Sequence, residues 1–148
     1  MALNPESLGK SFPSRTTYLV GREKVREFAR SVGEESELCF DSAAAQAAGY
    51  ADVVAPVTFP IVITLELMGG VATDPSVGLD WSRVVHAEQR FHFDRPVVAG
   101  DELSAVTTIE EIKSLAGNDI ITLRGDLSDA AGSPVAQVWT TLLARAEA

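Results

Sequence analysis

The sequence predicts an α+β fold, in which one antiparallel sheet wraps around a single long central helix. Helix-period segments are confined to the first half, where the run from Phe59 to Met68 is apolar almost all round and therefore calls for burial on most sides. From Val84 onward the pattern changes to period two, in long runs separated by turn residues, as in an antiparallel meander. Helices first and strands after is the α+β order. A chain of 148 residues with no internal repeat, low-complexity tract or linker is one domain spanning 1–148.

Residues 1–20 read as an extended arm with Pro5 and Pro13. Val25, Phe28 and Ala29 recur at helical spacing among charges, which predicts a surface helix over about 22–32. Gly33 supplies the left-handed residue that ends it. Residues 34–41 form an acidic loop, and Ser42 is placed to cap a short alanine-rich helix over 43–48 that Gly49 stops. Pro56 fits poorly inside a helix, so the central helix starts after it, with Thr58 as N-cap and Pro60 in the first turn. The glycines at 69–70 end that helix, and a loop with Pro75 and Gly78 follows.

In the first strand Val85, Ala87, Gln89, Phe91 and Phe93 alternate with Val84, His86, Glu88, Arg90 and His92, giving one mostly apolar face and one polar face. The residues at 94–96 turn the chain into a second strand over 96–112, and AlaGlyAsp at 99–101 reads as a bulge near its start. A turn at 117–118 leads to a strand over 118–127, and another at 130–134 leads to the last strand, Val135–Leu143. A single sheet leaves an edge open, so a homodimer or heterodimer is expected.

Twelve Lys and Arg against 21 Asp and Glu give a net charge of -9. Phosphate backbones call for a basic stripe, so the balance argues against nucleic acid and against anionic membrane surfaces. No apolar run approaches the roughly 18–20 residues of a membrane span. The opening residues lack the basic-then-apolar order of a signal peptide, and a cytoplasmic location is the expectation. The single cysteine rules out an internal disulfide. The two histidines, His86 and His92, have no carboxylate cluster at ligand spacing, so no metal is expected.

Three segments in register resemble the MaoC-like hotdog dehydratases. They are AlaArgSerValGlyGluGluSerGluLeuCysPheAsp at 29–41, GlyTyrAlaAspValValAlaProValThrPhe at 49–59, and GlnArgPheHisPheAspArgProValValAlaGlyAspGluLeu at 89–103. Through AlaProValThrPhe and ArgProValValAlaGlyAsp the chain resembles in particular the N-terminal-type domain. That group includes the HadA-like subunits of mycobacterial (3R)-hydroxyacyl-ACP dehydratase and related actinobacterial proteins. The resemblance implies a hotdog fold, an acyl-CoA or acyl-ACP substrate, fatty-acid metabolism and no cofactor.

Active members of that family carry Gly-Asp-x-Asn-Pro-(Ile/Leu)-His, whose Asp and His activate one water as base and acid. A backbone N–H at the start of the central helix polarises the thioester oxygen. Here Glu34 stands in place of the Asp, Ser36 of the Asn, Glu37 of the Pro and Cys39 of the His. A thiol with an ordinary pKa near 8.5 is a poor substitute for an imidazole. At the helix start, Pro56 has no N–H to offer, which leaves Val57 or Thr58 for that task. HadA-like subunits resemble this case. The implication is a catalytically degenerate, substrate-binding subunit whose acid and base come from a HadB-like partner or, failing that, a chain that pairs with itself.

Other residues carry alternatives. Glu66 lies in the middle of the apolar helix, where hotdog thioesterases place a catalytic carboxylate; the other reading is a face at an interface or in solvent. His86 shares a polar face with Glu88, Arg90 and His92, and is either a surface residue or a substrate contact. Gln89 falls on the apolar face, and a buried amide needs partners, so it either bonds a loop or lines the pocket. Asp101 is expected to fix the bulge, and Trp81 and Trp139 to pack. Arg15, Arg22, Lys24, Arg26 and Arg30 are the one concentrated supply of positive charge. A thioesterase using Glu66 and a non-catalytic acyl-binding partner stand as alternative functions.

Overall fold

The period-two runs of the second half become four long strands in the computed structural model, which describes residues 3–145. They are β3 (Val84–Phe93), β4 (Glu102–Leu115), β5 (Asn118–Asp129) and β6 (Pro134–Ala144). The N-terminal arm contributes two short pieces, β1 (Ser11–Pro13) and β2 (Tyr18–Leu19), both paired with β4. The strand order is β1-β4-β5-β6-β3, antiparallel throughout. The arm thus covers the β4 edge, while β3 forms the other edge and has no further strand beside it among the described residues. Residues 1 and 2 of the expected arm lie outside the described range.

The helices precede the meander. They are α1 (Arg22–Ser31), α2 (Ser42–Ala47), α3 (Pro60–Leu67) and α4 (Gly69–Thr73). α1 buries Val25 and Ala29 and ends as the sequence requires. Gly33 adopts φ 72°, its N–H donates to the Arg30 carbonyl, and the Glu34 N–H donates to Ala29. The α2 cap differs from the expectation. Ser42 is already helical, and the Asp41 carboxylate accepts the Ala43 N–H at 2.8 Å. Asp and Ser are near-equal caps, so the choice is made by where the preceding 3-10 turn, Glu37–Cys39, delivers the chain.

The central helix also departs in detail. Phe59 already has helical dihedrals and Pro60 opens the first turn, so Thr58 caps nothing with its side chain. The glycines at 69–70 do not end the helical run. The break falls at Met68, and α4 continues beyond it. α3 is buried on most sides, as expected, apart from one uncovered strip. Phe59, Ile63 and Leu67 are buried against the concave face of the sheet, but Leu65 is 63% exposed and Glu66 is exposed, because this chain puts no element over that side.

The core has two neighbouring clusters. One gathers Phe59, Ile63 and Leu67 with Val25, Val53, Leu103, Leu127 and Val138; the other gathers Met68 and Val71 with Ile109, Ile121, Leu123 and Leu142. The α3–α4 run passes over both. Gly125 of β5 permits the approach, since a Cβ there would lie 3.1 Å from Thr64 Cγ2 of α3.

β4 starts later than expected, at Glu102, because residues 97–99 pair elsewhere. The Ala55 N–H donates to the Val97 carbonyl, the Ala99 N–H donates to Val53, and Val54 bridges Val98. Gly100, at φ 98°, makes this a turn rather than the expected bulge; the register shift in β4 falls between Ile109 and Glu111.

Replacing Gly125 by Val is expected to lift α3 off the sheet. Overpacking of this kind costs about 1–3 kcal/mol, to be read as a lowered urea midpoint at unchanged m-value.

Candidate functional site

One clamp assembles the expected site. Arg95 donates to both carboxylate oxygens of Asp101, at 2.8 and 3.0 Å, and faces Asp129 at 3.5 Å. Asp101 also accepts the Val98 N–H at 2.9 Å. The segment so held carries residues 53–55, and the Val54 N–H in turn donates to the Leu38 carbonyl at 2.8 Å. The acidic loop and the start of α3 are therefore brought together, as the motif requires. Asp101 fixes a turn and a segment crossing; its expected role at a bulge is not the observed one.

In the acidic loop, Glu34 Oε1 accepts the N–H groups of Glu35 and Ser36, both at 3.0 Å, so this carboxylate holds its own loop. Ser36 is exposed, and its carbonyl accepts the Cys39 N–H at 3.0 Å. Cys39 is 4% exposed, and burial pushes its thiol above the ordinary value, with the Glu34 carboxylate adding to the effect. A thiol so shifted stays protonated at neutral pH and cannot act as the base. At the helix start Pro56 is buried, and Val57 and Thr58 are exposed, with no backbone hydrogen bond engaging either N–H among the described residues. These two N–H groups are free to meet a ligand oxygen.

A cleft of about 260 Å³ opens between α3 and the sheet, lined by Ile61, Leu65, Met68, Trp81, Val84, His86, Thr140 and Leu142. It starts one turn beyond Thr58. His86 enters it through a correction to the sequence reading. The β3–β6 register shifts between His86 and Glu88, so Ala87 is bulged and the alternation reverses there. Gln89, Phe91 and Phe93 keep the inward face, but Val85 and Ala87 turn outward, and Val84 and His86 turn toward α3. His86 thus leaves the polar face that it was expected to share with Glu88, Arg90 and His92. No residue type in the run announces the bulge.

Gln89 bonds the neighbouring strand rather than a loop. Its Nε2 donates to the Trp139 carbonyl at 2.8 Å, and its Oε1 accepts from Thr140 at 3.1 Å. Glu66 does not line the cleft. It lies on the arm side, close enough to Tyr18 to help burial push that phenol upward. Of the tryptophans, Trp81 is 42% exposed in the cleft wall, and Trp139 lies on the outer sheet face with the Arg90 guanidinium 4.2 Å from its ring centre. The cations of α1 are largely engaged: Arg22 with Asp52, Lys24 with Glu27, Arg26 with Glu23, and Arg30 over Phe40. Among the described residues, no helix is long and apolar enough to cross a membrane.

A sheet wrapped on one central helix, with an acidic loop and a helix start clamped together beside an apolar cleft, is the arrangement of the hotdog dehydratases. The chain belongs to the family described as FAS1-like, dehydratase domain region, which it matches over residues 6–138. It is similar to a chain of the HadBC (3R-hydroxyacyl-ACP dehydratase) complex from Mycobacterium tuberculosis, with 32% identity and a TM-score of 0.84 over 95% of this chain and 99% of that one. It is also similar to a MaoC-like dehydratase, with 36% identity and a TM-score of 0.81, covering 95% of this chain but 42% of that longer one. Relatives by sequence include the UPF0336 protein of Streptomyces avermitilis, 52% identical over 99% of this chain and 97% of that one. The fold and family are those of hydratase-type proteins, and the resemblance read from the three motif segments holds.

Three expectations follow from this geometry. Cys39 is expected to react with iodoacetamide at neutral pH at least about 10-fold more slowly than a free thiol. Because its folded pKa is raised, the stability it lends is complete below the ordinary thiol value near 8.5 and is lost as pH rises through the folded one. Asp101→Asn is expected to cost about 1.5–3 kcal/mol, since it weakens a charge-assisted clamp, and to speed amide exchange at both 53–55 and 97–99.

Proposed function

We propose that this chain is the substrate-binding, catalytically degenerate subunit of a (3R)-hydroxyacyl-thioester dehydratase or enoyl hydratase. A partner hotdog chain supplies the acid and base, and the acyl group is carried on CoA or acyl carrier protein. One contrast carries the reading: the frame of the site is intact while its proton-handling groups are not. Glu34 is spent on loop N–H groups and Cys39 is a buried thiol held neutral, yet the free N–H groups of Val57 and Thr58 lead into an apolar cleft. In this reading Val57 or Thr58 meets the thioester oxygen, Pro56 sets the entry of the chain, and the cleft with His86 takes the acyl chain. Gln89 supports the cleft by holding Thr140.

The partner joins at the open β3 edge, in heterodimer or self-dimer form, next to the uncovered side of α3. The solved HadBC complex of M. tuberculosis, whose name records two kinds of chain, supports the first form. A cytoplasmic location accords with this role.

The test uses the purified chain alone and with a hotdog partner carrying an intact Asp and His, on crotonyl-CoA and longer enoyl-CoA substrates. The chain alone is expected to hydrate neither, and the pair to hydrate both. Glu34→Gln and Cys39→Ser in the pair are expected to leave kcat within about twofold, whereas Leu65→Trp is expected to cost the longer substrate at least about tenfold in kcat/KM, ~1.4 kcal/mol. Full hydratase activity of the lone chain overturns the proposal. Thioester hydrolysis abolished by Glu66→Gln transfers it to the thioesterase reading, and a stable complex indifferent to Leu65 leaves a non-catalytic acyl-binding partner.

A further inference from the structure

The cleft beside α3 has a polar end, and every proton there is already committed. The Gln89 Nε2 donates to the Trp139 carbonyl at 2.8 Å, which fixes the amide's orientation and turns Oε1 toward Thr140 at 3.1 Å. Oε1 can only accept, so the Thr140 hydroxyl donates to it. His86 Nε2 lies 3.1 Å from the Glu88 carbonyl oxygen, which also can only accept. Nε2 therefore carries a proton, and in the neutral ring Nδ1 is an acceptor. The Trp81 indole N–H, the remaining donor of the lining, goes to the Ala72 carbonyl at 3.2 Å. Ile61, Leu65, Met68, Val84 and Leu142 offer none. Among the described residues, the cleft is thus an apolar slot with hydrogen-bond acceptors at one end and no free side-chain donor.

We propose that this slot selects acyl chains that carry a hydroxyl group beyond the reacting carbons, with His86 Nδ1 accepting the hydroxyl proton. The inference rests on the acyl-binding reading above and adds the substrate class to it. The cleft runs from Ile61 to Met68, about 10 Å of helix at 1.5 Å per residue, and so lies past the Val57–Thr58 N–H groups at which the thioester sits in that reading. A hydroxyl entering the slot brings its own donor and finds an acceptor. A ketone at the same carbon brings only an acceptor and finds no side-chain donor in the lining, and a methylene makes no bond to the imidazole, which is itself exposed. The discrimination is therefore alcohol over ketone as well as alcohol over alkane, which hydrophobicity alone does not produce.

Calorimetric titration of the purified protein tests this with decanoyl-CoA, 5-, 7- and 9-hydroxydecanoyl-CoA and the corresponding oxo-decanoyl-CoA compounds. At least one hydroxylated probe is expected to bind about 5–10-fold more tightly than decanoyl-CoA, and its oxo counterpart no better than decanoyl-CoA. H86F is expected to remove that preference, read as the ratio of the hydroxydecanoyl-CoA and decanoyl-CoA affinities of the same variant. H86L serves for the same comparison if H86F fails to unfold cooperatively. Equal binding of hydroxylated and plain chains, or a preference that survives both variants, overturns the inference and leaves the acyl site standing. Absence of decanoyl-CoA binding, or binding indifferent to Leu65→Trp, instead overturns the acyl site itself, as when a second copy of the chain fills the slot.

Discussion

The approach of α3 to the concave face of the sheet governs the remainder of the molecule. Thr64 sits where a side chain at residue 125 would have to go, so the helix lies close over β5. With Phe59, Ile63 and Leu67 seated beneath it, the opposite side of the helix rises clear of its own chain and leaves Leu65 and Glu66 uncovered. An exposed leucine alone needs no explanation. Here it continues into Ile61, Met68, Trp81 and Leu142, so the same packing that fills the core opens the cleft. Core and candidate site are two faces of one helix placement.

The second organising contact is the Arg95–Asp101 pair. Its value does not lie in a surface ion pair, which contributes little. Asp101 binds a guanidinium at two points and a backbone N–H at a third, which fixes the turn at 98–101. Through residues 97–99 that turn holds 53–55, and through Val54 it reaches the carbonyl of Leu38. Every link from 97 inward is backbone. This part of the frame is therefore independent of which side chains occupy 36 and 39, while Glu34 holds the loop itself through the N–H groups of 35 and 36.

Much of this was legible in the sequence. Strands β5 and β6 followed from alternation between turn residues, and α1 from its apolar stripe and Gly33. Two of the misses share a cause: each is settled by a partner far along the chain. Residues 96–101 read as a strand, but 97–99 bond to 53–55, and Gly100 and Asp101 bond to Val20. Thr58 is a good cap by type, yet Phe59 is already helical and Pro60 opens the helix. The bulge at Ala87 leaves no mark in ValValHisAlaGluGlnArg, because it is a mismatch with β6 rather than a property of β3. That one-residue slip moved His86 from the expected polar face to the rim of the cleft, where it stays exposed, in keeping with the rule that register decides the face of every side chain beyond it. The candidate site was legible at its motif positions and illegible in its lining, since Thr140 and Leu142 enter from the last strand.

The net charge of -9 acquires a narrower meaning from the structure. The basic run of α1 is the sequence's one concentrated supply of cations, and it is largely satisfied within the chain. An anionic ligand gains from a cation only what remains after that cation's existing partner is displaced. Exposed pairs are weak, so such displacement is affordable at a single residue, but not across a run in which each cation has its own carboxylate or ring. The features this chain offers a thioester are instead uncharged: two backbone N–H groups at 57 and 58, an apolar slot, and acceptors at its end. In the proposed role they meet the acyl group and its carbonyl, not the phosphates of the carrier. In the heteromeric arrangement proposed above, recognition therefore divides by chemistry, with the acyl chain read here and the charged part of the carrier left to a surface on the other subunit.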